Sequence, residues 1–181
     1  MLSYRDYTSM FNFHIENIQN IASQLYNYKA YQEKLRNDPK KKKVGLSLQA
    51  TEDMKYSEAN YRNTIYNYAI YSYMKNPTYI LNDKNTIVHK PYLYSYKDPK
   101  ATIDFENSQV VHLNNTNIGN CYALTSFYRI LANRLNTDAK LCTSPNHIFI
   151  KHKDHEGREF NVELGAKSFP TMGHINTITY T

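Results

Sequence analysis

The chain has 181 residues, enough for one domain with its own hydrophobic core, and its 22 Lys and Arg against 16 Asp and Glu give a net charge of +6. Two cysteines, 21 positions apart, exclude a disulfide framework and fit a reducing compartment. No apolar run approaches the length of a membrane span, and the polar residues 1–10 lack the apolar segment of a secretory signal, so a cytoplasmic location is the default expectation.

Two amphipathic helices are predicted in the first half of the chain. The apolar residues that indicate the first helix recur at spacings of four, three, four and three: Phe11, Ile15, Ile18, Ala22 and Leu25. Because this is the period of one helix face, it predicts a helix from about Tyr4 to Arg36, ended by Asn37-Asp38-Pro39. A second helix is predicted from about Ser57 to Lys75, before Asn76-Pro77, with four inward residues: Ala59, Ile65, Ala69 and Tyr73.

The one concentrated basic segment, Lys40 to Lys43, lies between these two helices. Such a run can contact phosphates. It lacks arginine, interleaved aromatic residues and any nucleic-acid fold signature, so a solvated loop is the expected structure. Nucleic acid is therefore not an expected partner, and binding through this loop is the weakest of the functional alternatives.

Residues 78–118 show an irregular pattern to which no elements are assigned. Pro91, Pro99 and several Asn-rich turns separate short runs such as Thr86 to His89. We therefore predict a helical and irregular covering region over residues 1–116 and a core that carries the chemistry over residues 117–181. The two regions are expected to form one compact unit.

The third predicted helix begins directly after Asn120 and has Cys121 at its start. Asn is a favoured N-cap residue, because its side-chain oxygen accepts a hydrogen bond from a first-turn amide. Helical periodicity runs from Tyr122 to Asn136 and gives one apolar face: Leu124, Phe127, Tyr128, Leu131 and Leu135. Asn136-Thr137-Asp138 ends this helix.

Three strands are predicted after this helix, from Lys140 to Thr143, Ile148 to Lys153 and Arg158 to Leu164. Asp154-His155-Glu156-Gly157 suits a type I turn with a following glycine bulge, which joins the last two strands as a hairpin. The register that follows pairs three sets of residues: Ile150 with Val162, Ile148 with Leu164, and His152 with Phe160.

This register decides which side chains share a face of the hairpin. The even-numbered residues are mostly apolar and are expected to cover the core. Because strand side chains alternate, His147, Asn161 and Glu163 fall together on the other face. A shift of one residue would separate His147 from Glu163, and the apolar alternation argues against that shift.

These positions predict a nucleophilic site. A thiol attacks a carbonyl carbon only as the thiolate, and a helix N-terminus favours that negative charge. An imidazole can take the thiol proton and later protonate the leaving amine, while an acidic or amide group fixes the orientation of the imidazole. Cys121, His147 and Glu163 are the candidates for these roles, with Asn161 as the secondary orienting candidate and the Cys121 amide as a candidate oxyanion donor.

Structural explanations of the same residues stay open at this point. Cys121 also lies on the apolar face of its helix and would serve as a small core residue. A histidine at the start of a strand is usually a satisfied polar residue. Cys142, in the middle of a strand, is expected to pack in the core. A zinc site built from Cys142, His147, His152 and His155 lacks the paired spacing that such sites show, so no metal is expected.

Several short segments resemble the transglutaminase-like superfamily, whose members have a papain-like fold and a Cys-His-Asp order. The segments that carry the resemblance are Gly119-Asn120-Cys121, Tyr128-Arg129-Ile130-Leu131-Ala132 and Ser144-Pro145-Asn146-His147. Two more resemble a bacterial subgroup often joined to tetratricopeptide repeats: Lys151-His152-Lys153 and Asn161-Val162-Glu163-Leu164. The resemblance covers about residues 117–170, roughly a third of the chain.

The resemblance implies a papain/transglutaminase-like core and a set of site residues. Together with the predicted elements, it leads us to expect an α+β fold in which the Cys-bearing helix packs on an antiparallel sheet of at least three strands. The two N-terminal helices are expected to form a covering layer. The superfamily acid commonly lies on the strand after the histidine, about sixteen positions on. Glu163 is sixteen residues after His147, so the resemblance selects it over Asn161. Glu replaces the more usual Asp, and the upstream oxyanion donor maps to no residue here.

The expected function is acyl transfer or hydrolysis at an amide bond of a protein or peptide, by a thiol enzyme without a cofactor. The superfamily includes cross-linking enzymes, peptidases, amidases and inactive members, so the alternative is a catalytically silent protein-binding module. The chain stops soon after Phe169-Pro170, and we expect it to be a piece of a longer protein or a domain whose repeats were trimmed. The sequence does not specify an oligomeric state.

Overall fold

The computed structural model describes residues 4–37, 58–82, 85–154 and 157–165. The helices are α1 (Tyr4–Asn37), α2 (Glu58–Lys75), α3 (Val110–Thr116) and α4 (Cys121–Arg134), with a 3-10 helix at Phe105–Ser108. The strands are β1 (Thr78–Asn82), β2 (Asn85–His89), β3 (Leu93–Tyr94), β4 (Ile118–Gly119), β5 (Lys140–Ser144), β6 (His147–Lys153) and β7 (Glu159–Val162). This mixture of helices with a small antiparallel sheet confirms the α+β class.

The two N-terminal helices form where the apolar period predicts them. α1 and α2 begin and end within one residue of the predicted bounds. Ile18 and Ala22 of α1 and Ala69 and Tyr73 of α2 are fully buried or nearly so. The two helices pack on each other, and both contact α4. The N-terminal region therefore covers α4 through one apolar face of each helix.

Residues 78–118 contain elements that the sequence pattern did not indicate. β1 and β2 form an antiparallel hairpin, with Ile80 opposite Ile87. β3 and β4 pair in parallel, Leu93 with Ile118 and Tyr94 with Gly119. Each strand of this parallel pair has only two residues, and their partners lie 25 positions apart, so no local periodicity could reveal the pairing.

The predicted antiparallel sheet has the order β5-β6-β7. The register is the predicted one, with Ile150 opposite Val162 and His152 opposite Phe160. Gly157 has a φ of +78° and donates its amide to the Asp154 carbonyl, which agrees with the predicted left-handed glycine after the turn. His155 and Glu156 at the tip of the turn lie outside the described residues.

α4 is the central helix of the core. Its predicted apolar face is buried: Leu124, Phe127, Tyr128, Leu131 and Leu135. It packs on β5 and β6 of the sheet and on α1, α2 and α3. The core therefore contains residues from both sides of position 116, among them Ile18, Ile70, Tyr73, Leu113, Ile150 and Val162. The division into a covering region and a core region stays a prediction.

Polar contacts fix the C-terminal half of α4. The Tyr128 hydroxyl donates to the Asn67 carbonyl oxygen at 2.9 Å. The Arg62 guanidinium donates to the carbonyl oxygens of Leu135 and Asn136, which lie beyond the last helical turn. Asn67 and Arg62 both belong to α2. The helix that carries Cys121 is therefore held against α2 by specific hydrogen bonds as well as by packing.

Two sequence predictions fall on residues outside this description, namely the Lys40 to Lys43 loop and the Thr-rich C-terminal segment. Within the described residues, no helix combines the length and the apolar character needed to cross a bilayer. α1 has 34 residues, but polar side chains interrupt it throughout.

Candidate active site

Cys121 is the first residue of α4, and a close approach of backbone and side chains determines its position. β4 leads into the helix through Gly119, where an added Cβ would lie 2.9 Å from Ala123 Cβ and 3.1 Å from Leu113 Cδ1. That distance is too short for any larger residue without a shift of helix α3 or α4. The glycine thus allows the strand to pass directly under the first turn of the helix.

Asn120 caps this helix as predicted. Its side-chain oxygen accepts a hydrogen bond from the Ala123 amide at 3.2 Å, and its own amide donates to the Asn107 carbonyl oxygen at 2.9 Å. The cap leaves the Cys121 and Tyr122 amides without an intrahelical partner, because the helix has no residue four positions earlier to accept them. The positive end of the helix dipole therefore lies at Cys121, which is only 4% exposed.

A tight turn sets the position of His147 in the site. Ser144 and His147 are paired residues at the ends of β5 and β6, so only Pro145 and Asn146 join the two strands. Asn146 has a φ of +61°, and proline followed by a left-handed residue is the pattern of a type II turn. His147 is consequently the first residue of β6, and its side chain is 11% exposed.

Glu163 follows β7 and both of its carboxylate oxygens are held. Oε2 is hydrogen-bonded to Nε2 of His147. Oε1 accepts the Gly165 amide at 2.7 Å. The side chain is 5% exposed, so the carboxylate is buried but fully paired. These bonds fix the orientation of the imidazole and leave its Nδ1 as the nitrogen available to the thiol.

The imidazole of His147 is strongly basic in this environment. The hydrogen bond with the Cys121 side chain is the largest cause that raises its pKa, followed by the bond with Glu163, and together they outweigh burial and raise the pKa to about 9. At neutral pH His147 therefore holds its proton. The imidazole of His147 thus links the thiol at the helix N-terminus to the carboxylate of Glu163.

Tyr94 and Lys75 are residues of this region that sequence reasoning missed. The Tyr94 ring lies next to the Glu163 carboxylate and Gly165. Burial, Cys121 and Glu163, in that order, raise the Tyr94 pKa to about 12. Lys75 is buried at the end of α2 and donates to the carbonyl oxygens of Tyr92 and Leu164. Lys75 therefore links the backbone just before Tyr94 to the backbone just after Glu163. No local pattern marks either residue, since both act through non-local contacts.

The other candidates from the sequence have different environments. Asn161 is buried on β7 opposite Lys151, and it is Glu163 that contacts Nε2 of His147. Cys142 is half-buried on β5 opposite Phe149. His152 is on the other face of β6, where it stacks on Phe160 and burial lowers its pKa. Among the described residues, no group of three or more His, Cys, Asp and Glu side chains has a metal-binding arrangement.

Comparisons of this chain with protein-family models, with curated proteins and with solved structures found no match.

Proposed function

We propose that this protein is a thiol enzyme with a papain/transglutaminase-like core that performs acyl transfer or hydrolysis at an amide bond of a protein or peptide. The observation that carries the proposal is the connected set of Cys121, His147 and Glu163, in which the thiol and the carboxylate raise the His147 pKa to about 9. Buried groups of this kind, shifted by specific partners, concentrate at catalytic sites.

The first half of the proposed reaction forms an acyl-enzyme. The Cys121 sulfur attacks the amide carbon as thiolate, and the carbonyl oxygen becomes an oxyanion that the Cys121 amide at the start of α4 can bind. His147 then gives its proton to the leaving nitrogen as the C–N bond breaks, which leaves a thioester on Cys121. Glu163 takes no part in the proton transfers and holds the imidazole in place.

The second half releases the acyl group. An amine or a water molecule attacks the thioester carbon, and neutral His147 takes the proton that this nucleophile loses. The C–S bond breaks and the thiolate–imidazolium pair forms again. The choice between an amine and water decides between cross-linking and hydrolysis, and both reactions use the same three side chains.

The rates at which iodoacetamide alkylates the two cysteines test the proposal. Exposure alone predicts that Cys142 reacts first, because it is partly exposed whereas Cys121 is 4% exposed. Activation by His147 predicts the reverse order, with Cys121 at least about tenfold faster at pH 7. The single variants Cys121→Ser and Cys142→Ser assign each rate by mass spectrometry. Faster alkylation of Cys142 would contradict the proposal.

Turnover is tested by the incorporation of a fluorescent primary amine into casein and by release of amine from casein peptides. Cys121→Ser is expected to abolish both signals, and Cys142→Ser to leave them unchanged. The readouts separate transfer from hydrolysis, since a hydrolase gives only the second.

A second candidate function, a catalytically silent protein-binding module, is favoured by one observation. Of the ten large apolar side chains that are exposed in the described residues, seven lie on the stretch of chain that leads into α4 and its first turn: Leu93, Tyr96, Ile103, Phe105, Val111, Ile118 and Tyr122. Such a concentration is typical of contact surfaces for other proteins. A module of this kind would show no preferential alkylation of Cys121, so the same experiment separates the two functions.

A further inference from the structure

Residues 95–107 form a loop (loop 95–107) whose two ends are both hydrogen-bonded to the chain that leads into α4. The Ser95 amide donates to the Gly119 carbonyl oxygen at 2.9 Å, and the Asn107 carbonyl oxygen accepts the Asn120 amide at 2.9 Å. Gly119 and Asn120 are the two residues directly before the thiol-bearing first turn of the helix. The loop is therefore attached at both ends to the backbone that positions the thiol.

The Asp98 residue fixes the conformation of loop 95–107 from the inside. Its carboxylate accepts three consecutive backbone amides at 2.8 to 3.0 Å, those of Thr102, Ile103 and Asp104. The Asn107 side-chain amide donates to the Asp98 carbonyl oxygen at 2.6 Å. Asp98 is only 8% exposed, and hydrogen bonds to a charged acceptor are strong. The backbone of the loop is therefore held by its own buried carboxylate.

Loop 95–107 carries the three most exposed of the large apolar side chains in the described residues. These are Ile103 at 87%, Tyr96 at 78% and Phe105 at 71% exposed. Because Asp98 fixes the backbone, this exposure is a property of the folded loop. A structured loop that holds several large apolar side chains in water is typical of a contact surface for a ligand.

The exposed tyrosine of the loop extends this apolar surface toward the candidate site. Tyr96 packs edge-on against Tyr94, with ring centroids 4.9 Å apart. Tyr94 Cδ2 lies 3.3 Å from the position of a Cβ added to Gly165, and the Gly165 amide donates to Glu163 Oε1 at 2.7 Å. The surface of the loop therefore reaches, through the Tyr94 ring, the segment that holds Glu163.

The exposed charges of loop 95–107 cancel. Lys97 and Lys100 are positive, Asp104 and Glu106 are negative, and all four residues are exposed. The loop therefore has no excess of exposed charge with which to attract an ionic ligand. Apolar contact is the interaction that distinguishes its surface.

We infer that loop 95–107 is the substrate-binding loop of the thiol site proposed above, on which this inference rests, and that the substrate is a polypeptide with a large apolar or aromatic side chain close to the amide that reacts. Tyr96, Ile103 and Phe105 cover this side chain while the amide carbon lies at Cys121. Since the loop is already ordered, binding loses little conformational entropy of the protein.

Peptide chloromethyl ketones test this preference, because the peptide part binds before the Cys121 thiolate displaces chloride and forms the C–S bond. The reagents are acetyl-diglycine chloromethyl ketone and its two analogues with phenylalanine in place of one glycine. The Cys142→Ser variant leaves one thiol, and its alkylation at pH 7 is followed by mass spectrometry. At concentrations below saturation, the better phenylalanine reagent should react about tenfold faster than the glycine reagent, since burial of a phenyl ring contributes about this factor to binding.

A variant of the loop, made in the Cys142→Ser parent, removes the exposed apolar side chains and keeps the Asp98 bonds: Tyr96→Ser, Ile103→Ser and Phe105→Ser together. The ratio of the two rates should fall below about threefold, because the covering side chains are gone. The glycine reagent should keep its rate within about twofold, because substitutions at exposed positions change little else.

The matched control variant changes three exposed apolar residues on α2, β1 and β5, which are 51%, 69% and 43% exposed: Tyr68→Ser, Tyr79→Ser and Leu141→Ser together. It should keep the ratio of the parent. A damaged fold or a less reactive thiol would slow both reagents, so the ratio reports on recognition of the phenyl ring alone. A ratio near one in the parent, an unchanged ratio in the loop variant, or an equal loss in the control variant would overturn the assignment of the loop.

The two proposals fail in different ways. If iodoacetamide alkylates Cys121 faster than Cys142 in the wild type but the two chloromethyl ketones react equally fast, the thiol site stands and the substrate class is rejected. If Cys121 reacts with iodoacetamide no faster than Cys142, the thiol site is rejected, and the role of the loop with it.

Discussion

Two places in this protein bury imidazole side chains to a similar degree, and they change the imidazole pKa in opposite directions. His14 and His89 are 6% and 9% exposed, and the His147 side chain is 11% exposed. Burial lowers the pKa of His14 and of His89 to about 4, with the neighbouring histidine adding to the effect at His14. Cys121 and Glu163 raise the pKa of His147 to about 9.

The neighbours of the rings explain this contrast. His14 accepts or donates one hydrogen bond with the Tyr73 hydroxyl at 2.7 Å, and His89 stacks on the Tyr73 ring with centroids 4.1 Å apart. Both nitrogens of His89 and Nε2 of His14 are buried without a hydrogen-bond partner among the described residues. Burial among aromatic rings therefore keeps an imidazole neutral, whereas an acidic partner and a thiol keep it charged.

The largest effect is expected when the charged imidazole is removed. His147→Ala should slow alkylation of Cys121 at pH 7 by about 10²- to 10⁴-fold, because the thiol loses the group that takes its proton. His152→Ala is the matched control, since His152 is on the same strand but on the opposite face. The rate is followed by mass spectrometry of the Cys121 peptide. An equal loss in His152→Ala would show that the effect comes from the strand and not from the imidazole.

The next largest effect is expected from the two neutral histidines, His14 and His89, and concerns the stability of the fold in acid. The folded-state pKa of His14 and His89 lies below the ordinary 6.5, so between pH 6.5 and pH 4 the unfolded chain binds protons that the folded chain does not. The free energy of unfolding therefore falls as the pH falls through this window, by about 3 kcal/mol for each histidine. His89→Phe keeps an aromatic ring on Tyr73 and should lose about 3 kcal/mol less than the wild type.

Urea unfolding at pH 7, 5.5 and 4 measures the free energy of unfolding of both proteins. Because the same carboxylates titrate in the variant and in the wild type, their contribution cancels when the two pH dependences are subtracted. His14→Phe gives a useful comparison, because it also removes the hydrogen bond to Tyr73 and should cost about 1 kcal/mol at pH 7. His89→Phe loses no such bond. If the free energy of unfolding of His89→Phe and of the wild type fell equally with pH, burial would not be what lowers the His89 pKa.

A smaller effect is expected when the acidic partner of His147 is neutralised. Glu163→Gln should lower the His147 pKa from about 9 by about 1 to 2 units, because the carboxylate charge is lost. A pKa above 6.5 in the folded state means that His147 stabilises the fold at low pH, and that this contribution disappears as the pH rises through the folded pKa. In the variant, the loss should occur closer to neutral pH.

NMR titration of the His147 ring protons measures the shift directly. Glu159→Gln is the control, because Glu159 is exposed and pairs with Lys151. An unchanged His147 titration in Glu163→Gln would mean that the carboxylate is not what distinguishes this histidine from His14 and His89.

The smallest effect is expected at the helix cap. Asn120→Ala should lower the free energy of unfolding by about 1 kcal/mol, because the Ala123 amide loses its acceptor. Asn120→Asp keeps an acceptor oxygen and should retain most of that stability, although its charge disfavours a thiolate at Cys121. Thermal unfolding and alkylation rates separate these two consequences. Stability lost equally in both variants would show that the cap bond contributes little.

Much of the fold around the site could be predicted because it rests on local patterns. The bounds of α1 and α2, the cap of α4 and the β6–β7 register all follow from side-chain periods and turn residues within short stretches of chain. The region between residues 78 and 118 could not be predicted in the same way. Its β3–β4 pairing joins two-residue strands from distant positions, and its stabilising bonds depend on what packs nearby.

The same distinction between local and non-local features applies to the candidate site. The sequence alone determined that Cys121 begins a helix, that His147 begins a strand and that Glu163 shares its face, since helix capping and strand alternation are properties of neighbouring residues. Only the tertiary structure decided that Glu163 bonds to His147 with one carboxylate oxygen while the Gly165 amide holds the other. It also decided that Lys75 and Tyr94 border the site and that His14 and His89 are neutral. Burial and the identity of non-local neighbours set the charge of a side chain, and a linear sequence contains neither.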